Sequence, residues 1–158
     1  MARSRIPCGT PGPGDDPSSG SGSGRPQPER PGFSEEPPGL VRLLLVDRDV
    51  RVRVAIHQTI TMESDLSIVA EAADAEEALA LADRTGPSVA LVDLLLPDTG
   101  TGLALVRSLS RRPGCAVVAM SERGGLREAA LAAGAFALVD KSGDIDAILN
   151  TVRASAAP

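Results

Sequence analysis

Four short apolar runs in this chain each end on a side chain that can do chemistry, and this spacing most limits the fold. Asp47 follows Val41-Arg-Leu-Leu-Leu-Val46, and Asp93 follows Val89-Ala-Leu-Val92. Ser121 follows Ala116-Val-Val-Ala-Met120, and Lys141 follows Phe136-Ala-Leu-Val-Asp140. Short runs of Val, Leu, Ile and Ala are the signature of strands buried on both faces of a parallel sheet. Open α/β sheets carry their chemistry at the carboxyl ends of the strands. Two carboxylates, a hydroxyl and the chain's single lysine are therefore expected to meet in one crevice. A phosphoryl group on a carboxylate suits such a pocket, with Lys141 and Ser121 on its oxygens.

Helical patterns fill the gaps between the runs. Asp49 is placed to cap a helix over Val50 to about Met62, with Val52, Ile56 and Ile60 on one stripe. The alternation Val50-Arg-Val-Arg-Val54 also reads as a strand, but length and the missing turn after Val46 favour the helix. Ser67 to Ala70 reads as a second strand. Asp74-x-x-Glu77 resembles a capping box ahead of an Ala/Leu/Glu-rich helix, which Gly86-Pro87 stops. After the third strand, Thr101 is expected to cap a helix through about Ser110. A short helix at Leu126 to Ala133 ends at Gly134, and Phe136 to Val139 is the fifth strand. Ser142 is then expected to cap a last helix that buries Ile145, Ile148, Leu149 and Val152. Five strands alternating with five helices imply an α/β fold: three α/β/α layers, a parallel sheet and right-handed crossovers.

Residues 1–39 are different material, with nine Pro, eight Gly and six Ser. Such a segment buries too little surface to offset the entropy of ordering, so it is expected to be a disordered tail. The folded domain is placed at 40–156. A net charge of -5 leaves no broad basic face for direct nucleic-acid binding. With two Phe and neither Tyr nor Trp, the core must be aliphatic. Cys8 and Cys115 read as reduced thiols rather than a disulfide frame. No apolar run approaches the ~18 residues of a membrane span, and the expected location is the cytoplasm. The last helix runs almost to Pro158, which points to a protein acting without an effector domain behind it.

The stretches Leu43-Leu-Leu-Val-Asp-Arg-Asp49, Leu91-Val-Asp-Leu-Leu-Leu-Pro-Asp-Thr-Gly-Thr-Gly102, Val117-Val-Ala-Met-Ser-Glu122 and Ala133-Gly-Ala-Phe-Ala-Leu-Val-Asp-Lys141 resemble, in order, the receiver domain of bacterial response regulators. The resemblance implies a CheY-like, flavodoxin-like fold, with a five-stranded parallel sheet of order 2-1-3-4-5. Asp93 matches the aspartate that takes a phosphoryl group from a sensor histidine kinase. Lys141 and Ser121 match the residues that contact the phosphoryl oxygens, and Asp47 with Asp93 matches the set that binds Mg2+. It further implies a non-enzymatic signalling role, with an effector protein contacted through the fourth helix, fourth strand and fifth strand. Such a chain is expected as a monomer or weak homodimer.

Several residues depart from that pattern. The family carries two adjacent acids after the first strand, and here the second is Arg48. Mg2+ takes oxygen ligands in octahedral geometry. Two unit charges ~5 Å apart at an effective dielectric of ~20 interact by about 3 kcal/mol, so an arginine for an acid should disfavour a divalent cation strongly. Asp49 could turn inward to supply the missing carboxylate, or serve only as a cap. Arg48 could reach Asp93 or a phosphate, or point to solvent. The alternative function is accordingly a phosphorylation-independent interaction module in which Arg48 locks the pocket through Asp93. Leu138 stands where many receivers carry a switching aromatic. Ser142 stands where many carry proline, and the acceptor loop is one residue longer than usual. Leu95 and Arg123 lie where the family tunes the lifetime of the phosphate. His57, the single histidine, is read as a partly exposed surface residue.

Overall fold

The computed structural model describes Gly9 and residues 37–158. The expected tail over 1–39, with Cys8 in it, lies outside the described residues except for Gly9 and the stretch 37–39. From Val41 onward strand and helix alternate: β1 (Val41–Val46), α1 (Val50–Ile60), β2 (Leu66–Ala72), α2 (Ala75–Thr85), β3 (Val89–Asp93) and α3 (Thr99–Ser110). Then come β4 (Ala116–Ser121), a 3₁₀ turn (Gly124–Leu126), α4 (Arg127–Ala132), β5 (Ala137–Asp140) and α5 (Ile145–Ala156). All neighbouring strands pair in parallel, in the order β2-β1-β3-β4-β5. This is the flavodoxin-like arrangement that the sequence implied.

Successive side chains of a strand point to opposite faces, and the two halves of the core follow from that alternation. Leu44, Val46, Ala90 and Val92 pack with Ala78, Ala82, Leu105, Val106 and Leu109 beneath α2 and α3. Leu43, Leu45, Leu91, Val118 and Met120 pack on the other face with Ile56, Ile60, Ile148, Leu149 and Val152 of α1 and α5. β1 and β3 serve both halves, which is why residues 43–46 and 89–92 read as continuous apolar runs. The largest fully buried side chains are aliphatic, chiefly leucines, while Phe136 is half exposed.

α1 is a helix, which settles the ambiguity at 50–54: Ile56 and Ile60 are buried and Val50 and Val54 are exposed. Asp49 caps α1 by accepting from the Arg51 N–H, and Asp74 caps α2 by accepting from the Glu77 N–H at 2.8 Å. Glu77 reaches back to the Ala73 N–H at 3.0 Å, one residue earlier than the usual capping box. Gly86 closes α2 in the left-handed region, as a helix stop requires.

Two caps differ from expectation. α3 begins at Thr99, and its cap is Asp98, whose Oδ1 accepts from the Thr101 N–H at 2.8 Å. Thr101 is inside the first turn and donates its own hydroxyl to Asp98 Oδ2 at 3.2 Å. The carboxylate directly before the helix takes both donors, one on each oxygen. Likewise Asp144, not Ser142, caps α5 by accepting from the Asp146 N–H. Ser142 gives its N–H and hydroxyl to Asp140 instead, in a turn that precedes the helix. β2 is longer than expected, β5 sits one residue later, and α4 is shortened by the 3₁₀ turn at Gly124-Gly125.

The β1–β2 register steps from Ile68 to Ala70 between Leu43 and Leu44, a bulge in the edge strand. Among the described residues, no helix is long and apolar enough to cross a membrane.

Candidate functional site

Backbone pairing brings the four strand ends level. The Leu94 N–H donates to the Met120 carbonyl at 2.9 Å, and the Lys141 N–H donates to the Ser121 carbonyl at 3.1 Å. The Asp47 N–H donates to the Ala72 carbonyl at 3.0 Å, and the Arg53 guanidinium on α1 donates to the Asp47 carbonyl at 2.6 Å. Asp47, Asp93 and Ser121 are buried, the only polar or charged side chains so classed among the described residues.

Each of the three is fixed by the same local device. Asp47 Oδ1 accepts from the Asp49 N–H at 2.8 Å, Asp93 Oδ1 from the Leu95 N–H at 3.1 Å, and Ser121 Oγ from the Arg123 N–H at 2.9 Å. A short polar side chain bonding the backbone two residues on locks its own rotamer and turns the chain out of the strand. The second carboxylate oxygens are thereby left facing the crevice. Lys141 Nζ lies 2.7 Å from Asp47 Oδ2 and 3.0 Å from Asp93 Oδ2, bridging the two acids. Its approach to Asp47 Oδ2 is off hydrogen-bond geometry, so that buried oxygen has charge compensation without a directed donor.

The electrostatics follow from burial and pairing. Burial pushes the Asp47 carboxyl above its ordinary value, and the Lys141 ammonium and the Asp49 amide only partly counter it. Burial alone would lower Lys141; the Asp47 and Asp93 carboxylates outweigh it and raise the net value, so the ammonium stays charged. Asp49 points the other way, onto Arg51 Nε at 3.2 Å and Nη2 at 3.0 Å, and is held at a pKa of about 2 by that partner. It is a cap and does not turn into the pocket.

A cavity of about 250 Å³ opens beside Asp93, lined by Thr99, Ser121, Arg123, Leu126 and Lys141 among others. A second recess of about 320 Å³ adjoins it on the Asp47, Arg48 and Asp49 side. Arg48 is exposed, and its Nη1 donates to the Pro97 carbonyl at 3.4 Å, across the mouth from the β1–α1 loop to the β3–α3 loop. The crevice therefore holds a carboxylate aimed into open space, a bridging ammonium and a hydroxyl, with guanidinium groups at its rim. That set can accept and hold a tetrahedral oxyanion.

The family model of the response regulator receiver domain matches residues 43–153. This chain belongs to that family. The transcriptional regulatory protein UhpA of Salmonella typhimurium is 31% identical over 113 residues, which cover 72% of this chain and 57% of UhpA. The chain thus spans little more than half the length of that curated relative. Among solved structures, a LuxR-family two-component response regulator from Aurantimonas sp. SI85-9A1 superposes with a TM-score of 0.67 at 30% identity, covering 73% of this chain and 84% of that one. A CheY-like receiver from Methanospirillum hungatei JF-1 gives 0.64 at 28%, covering 74% and 94%.

Receiver domains typically bind Mg2+ at this acidic pocket, and the residues of this receiver do not fit the ion. Asp47 and Asp93 are the two acids at the strand ends, and both already share Lys141. Asp49 is committed to Arg51, and the place of a second adjacent acid is taken by a guanidinium. Among the described residues no group of three or more His, Cys, Asp and Glu is arranged to hold a metal. A hard dication needs several oxygen ligands free of competing cations, and neither carboxylate at the strand ends is in that state.

Sequence reasoning brought Asp47, Asp93, Ser121 and Lys141 together correctly in space. It missed Arg53, which clamps the end of β1, and Gly102, which lets α3 approach the acceptor loop. A Cβ at Gly102 would fall well inside contact distance of the Leu94 backbone. The glycine-threonine repeat ahead of Leu103 was the available signal. His57 is partly exposed as expected, and its Nδ1 lies 3.1 Å from Glu71 Oε2.

Proposed function

We propose that this receiver, over residues 40–156, takes a phosphoryl group from a sensor histidine kinase on Asp93 and signals by contact with an effector protein. The observation that carries the reading is the Asp93 carboxylate: pinned through Oδ1, paired through Oδ2 to Lys141 at 3.0 Å, and facing a cavity of about 250 Å³. A carboxylate is nucleophilic without a general base. In the transfer, an Asp93 oxygen bonds to phosphorus as the P–N bond of the kinase phosphohistidine breaks. The electron pair leaves on the imidazole nitrogen, which takes up a proton. Because the transition state carries its charge on the phosphoryl oxygens, positioning and charge neutralisation supply the catalysis. Lys141 turns from a carboxylate partner into a phosphoryl partner, and the Ser121 hydroxyl donates to a second oxygen.

Output follows from the movement of Ser121. A hollow of about 180 Å³ between Ser121, Arg127, Leu138 and Asp140 leaves room for α4 and β5 to repack without an aromatic flip. Phosphorylation biases an equilibrium between two packings of that face. The effector surface is α4, β4 and β5, read by protein and not directly by nucleic acid. We take its setting to be the cytoplasm and its state to be a monomer or weak homodimer.

A second reading has one observation in its favour: Lys141 bridges both acids, so Asp93 already has a cationic partner with no phosphoryl group in the pocket. In that reading the chain is a phosphorylation-independent interaction module. Incubation with acetyl phosphate, or with a cognate kinase and ATP, followed by intact-mass measurement, separates the two. The wild type should gain one phosphoryl group and Asp93→Asn none. A wild type unlabelled by every donor, with the partner bound equally by both proteins, establishes the second reading.

A further inference from the structure

We infer that Arg48 is this receiver's built-in counter-charge, so that phosphorylation of Asp93 proceeds without a divalent cation; the inference rests on the phosphoacceptor reading above. The recess beside Asp93 is lined by Asp47, Arg48, Asp49, Leu95 and Lys141. Asp49 is turned away onto Arg51. What remains at the crevice is two carboxylates, Asp47 and Asp93, against two cations, Lys141 and Arg48. The charges cancel before any ion enters, and a dication would add its own field beside a guanidinium and an ammonium.

The tether of Arg48 is the second observation. Its Nη1 donates to a neutral carbonyl, Pro97 O, at 3.4 Å in solvent, near the limit of a hydrogen bond. A phosphoryl oxygen on Asp93 offers the same guanidinium a charged acceptor, with shorter and stronger bonds and a bidentate geometry suited to its fork. Arg48 already spans the two loops that flank the crevice and lines the same recess as Asp93. It supplies on one side of the phosphoryl group what Lys141 supplies on the other. With acetyl phosphate as donor, the Asp93 oxygen bonds to phosphorus while the P–O bond to the acetyl group breaks. Acetate leaves with the electron pair, and no proton, metal or further reactant is required.

The full chain is treated with acetyl phosphate in EDTA and, separately, in excess Mg2+, and the phosphoryl group is counted by intact mass over time. The wild type should label in EDTA at the rate seen with Mg2+. Arg48→Ala should label roughly tenfold or more slowly in both, as expected for loss of one preorganised charge donor. Arg48→Asp should be slow in EDTA and restored by Mg2+. A Mg2+ titration followed by backbone amide NMR is the readout independent of transfer. The wild type should show no saturating shifts at Asp47 or Asp93, whereas Arg48→Asp should bind roughly tenfold more tightly or better. Wild-type labelling only with Mg2+, wild-type Mg2+ saturation equal to that of Arg48→Asp, or labelling of Arg48→Ala at the wild-type rate overturns the role of Arg48 and leaves Asp93 as acceptor. No labelling of any protein under either condition overturns the acceptor reading itself, and this inference with it.

Discussion

At the scale of single residues, the site is held together at a local energetic cost. Asp47 is buried and its carboxyl is raised by that burial. A carboxyl whose folded value lies above its unfolded one is penalised when ionised; the penalty shrinks as pH falls through the folded value and is gone below the unfolded one. Asp47→Asn keeps an oxygen for the Asp49 N–H, and Lys141 keeps Asp93. This variant should therefore melt above the wild type at neutral pH. The gap should narrow on acidification and close below 3.8, as followed by circular dichroism. Gly102→Ala should act in the opposite direction, because its methyl would meet the Leu94 backbone. Overpacking of this kind costs about 1–3 kcal/mol, readable by urea denaturation, and the amide signals of Leu94 and Leu95 should shift with it. The four polar residues of the crevice were legible in the sequence because each follows a run of buried-strand composition. Gly102 was not read, since the glycine-threonine repeat marks a possible close approach but does not say which backbone the helix passes.

At the scale of elements, helix starts distinguish what a sequence reveals from what it leaves open. Asp49 and Asp74 were readable as caps because each stands alone before its helix. Around α3 the stretch Asp98-Thr-Gly-Thr101 offers three candidate caps, and Thr101 was the wrong one. Asp98 takes both the N–H and the hydroxyl of Thr101. Asp98→Ala should thus lower stability by about 1 kcal/mol, a typical loss for an N-cap, whereas Thr101→Ala should cost clearly less. Equal effects in chemical denaturation would contradict this assignment. The same competition explains Ser142 and Asp144 at α5, where the serine is drawn into the Asp140 turn. The strand ends were off by one to two residues for a related reason. Pairing partners fix where a strand stops, and those lie in other segments of the sequence.

For the whole molecule, the order of the sheet was implied by family resemblance; alternation alone required only parallel strands and crossovers. What the sequence left unread is the set of ties that close the fold across long separations. Arg153 on α5 bonds Asp65 through Nε at 2.7 Å and Nη2 at 2.9 Å, and the same nitrogen meets Glu63 at 2.6 Å. The tie joins the last helix to the loop before β2. Arg153 holds the Asp65 carboxyl below its ordinary value, so this contribution is present above pH 3.8 and is lost as pH falls through the lower folded value. Arg153→Ala should melt below the wild type at neutral pH, with the deficit shrinking under acid, as read by calorimetry at several pH values. The bulge at Leu43/Leu44 distorts one rim of the sheet, and the other rim is a strand of four residues. Neither rim offers the long, flat row of free amides and carbonyls on which another chain's strand could be laid. Growth of the ribbon by lateral addition is thereby discouraged, and any assembly this protein enters is built through side-chain faces and not by extending the sheet.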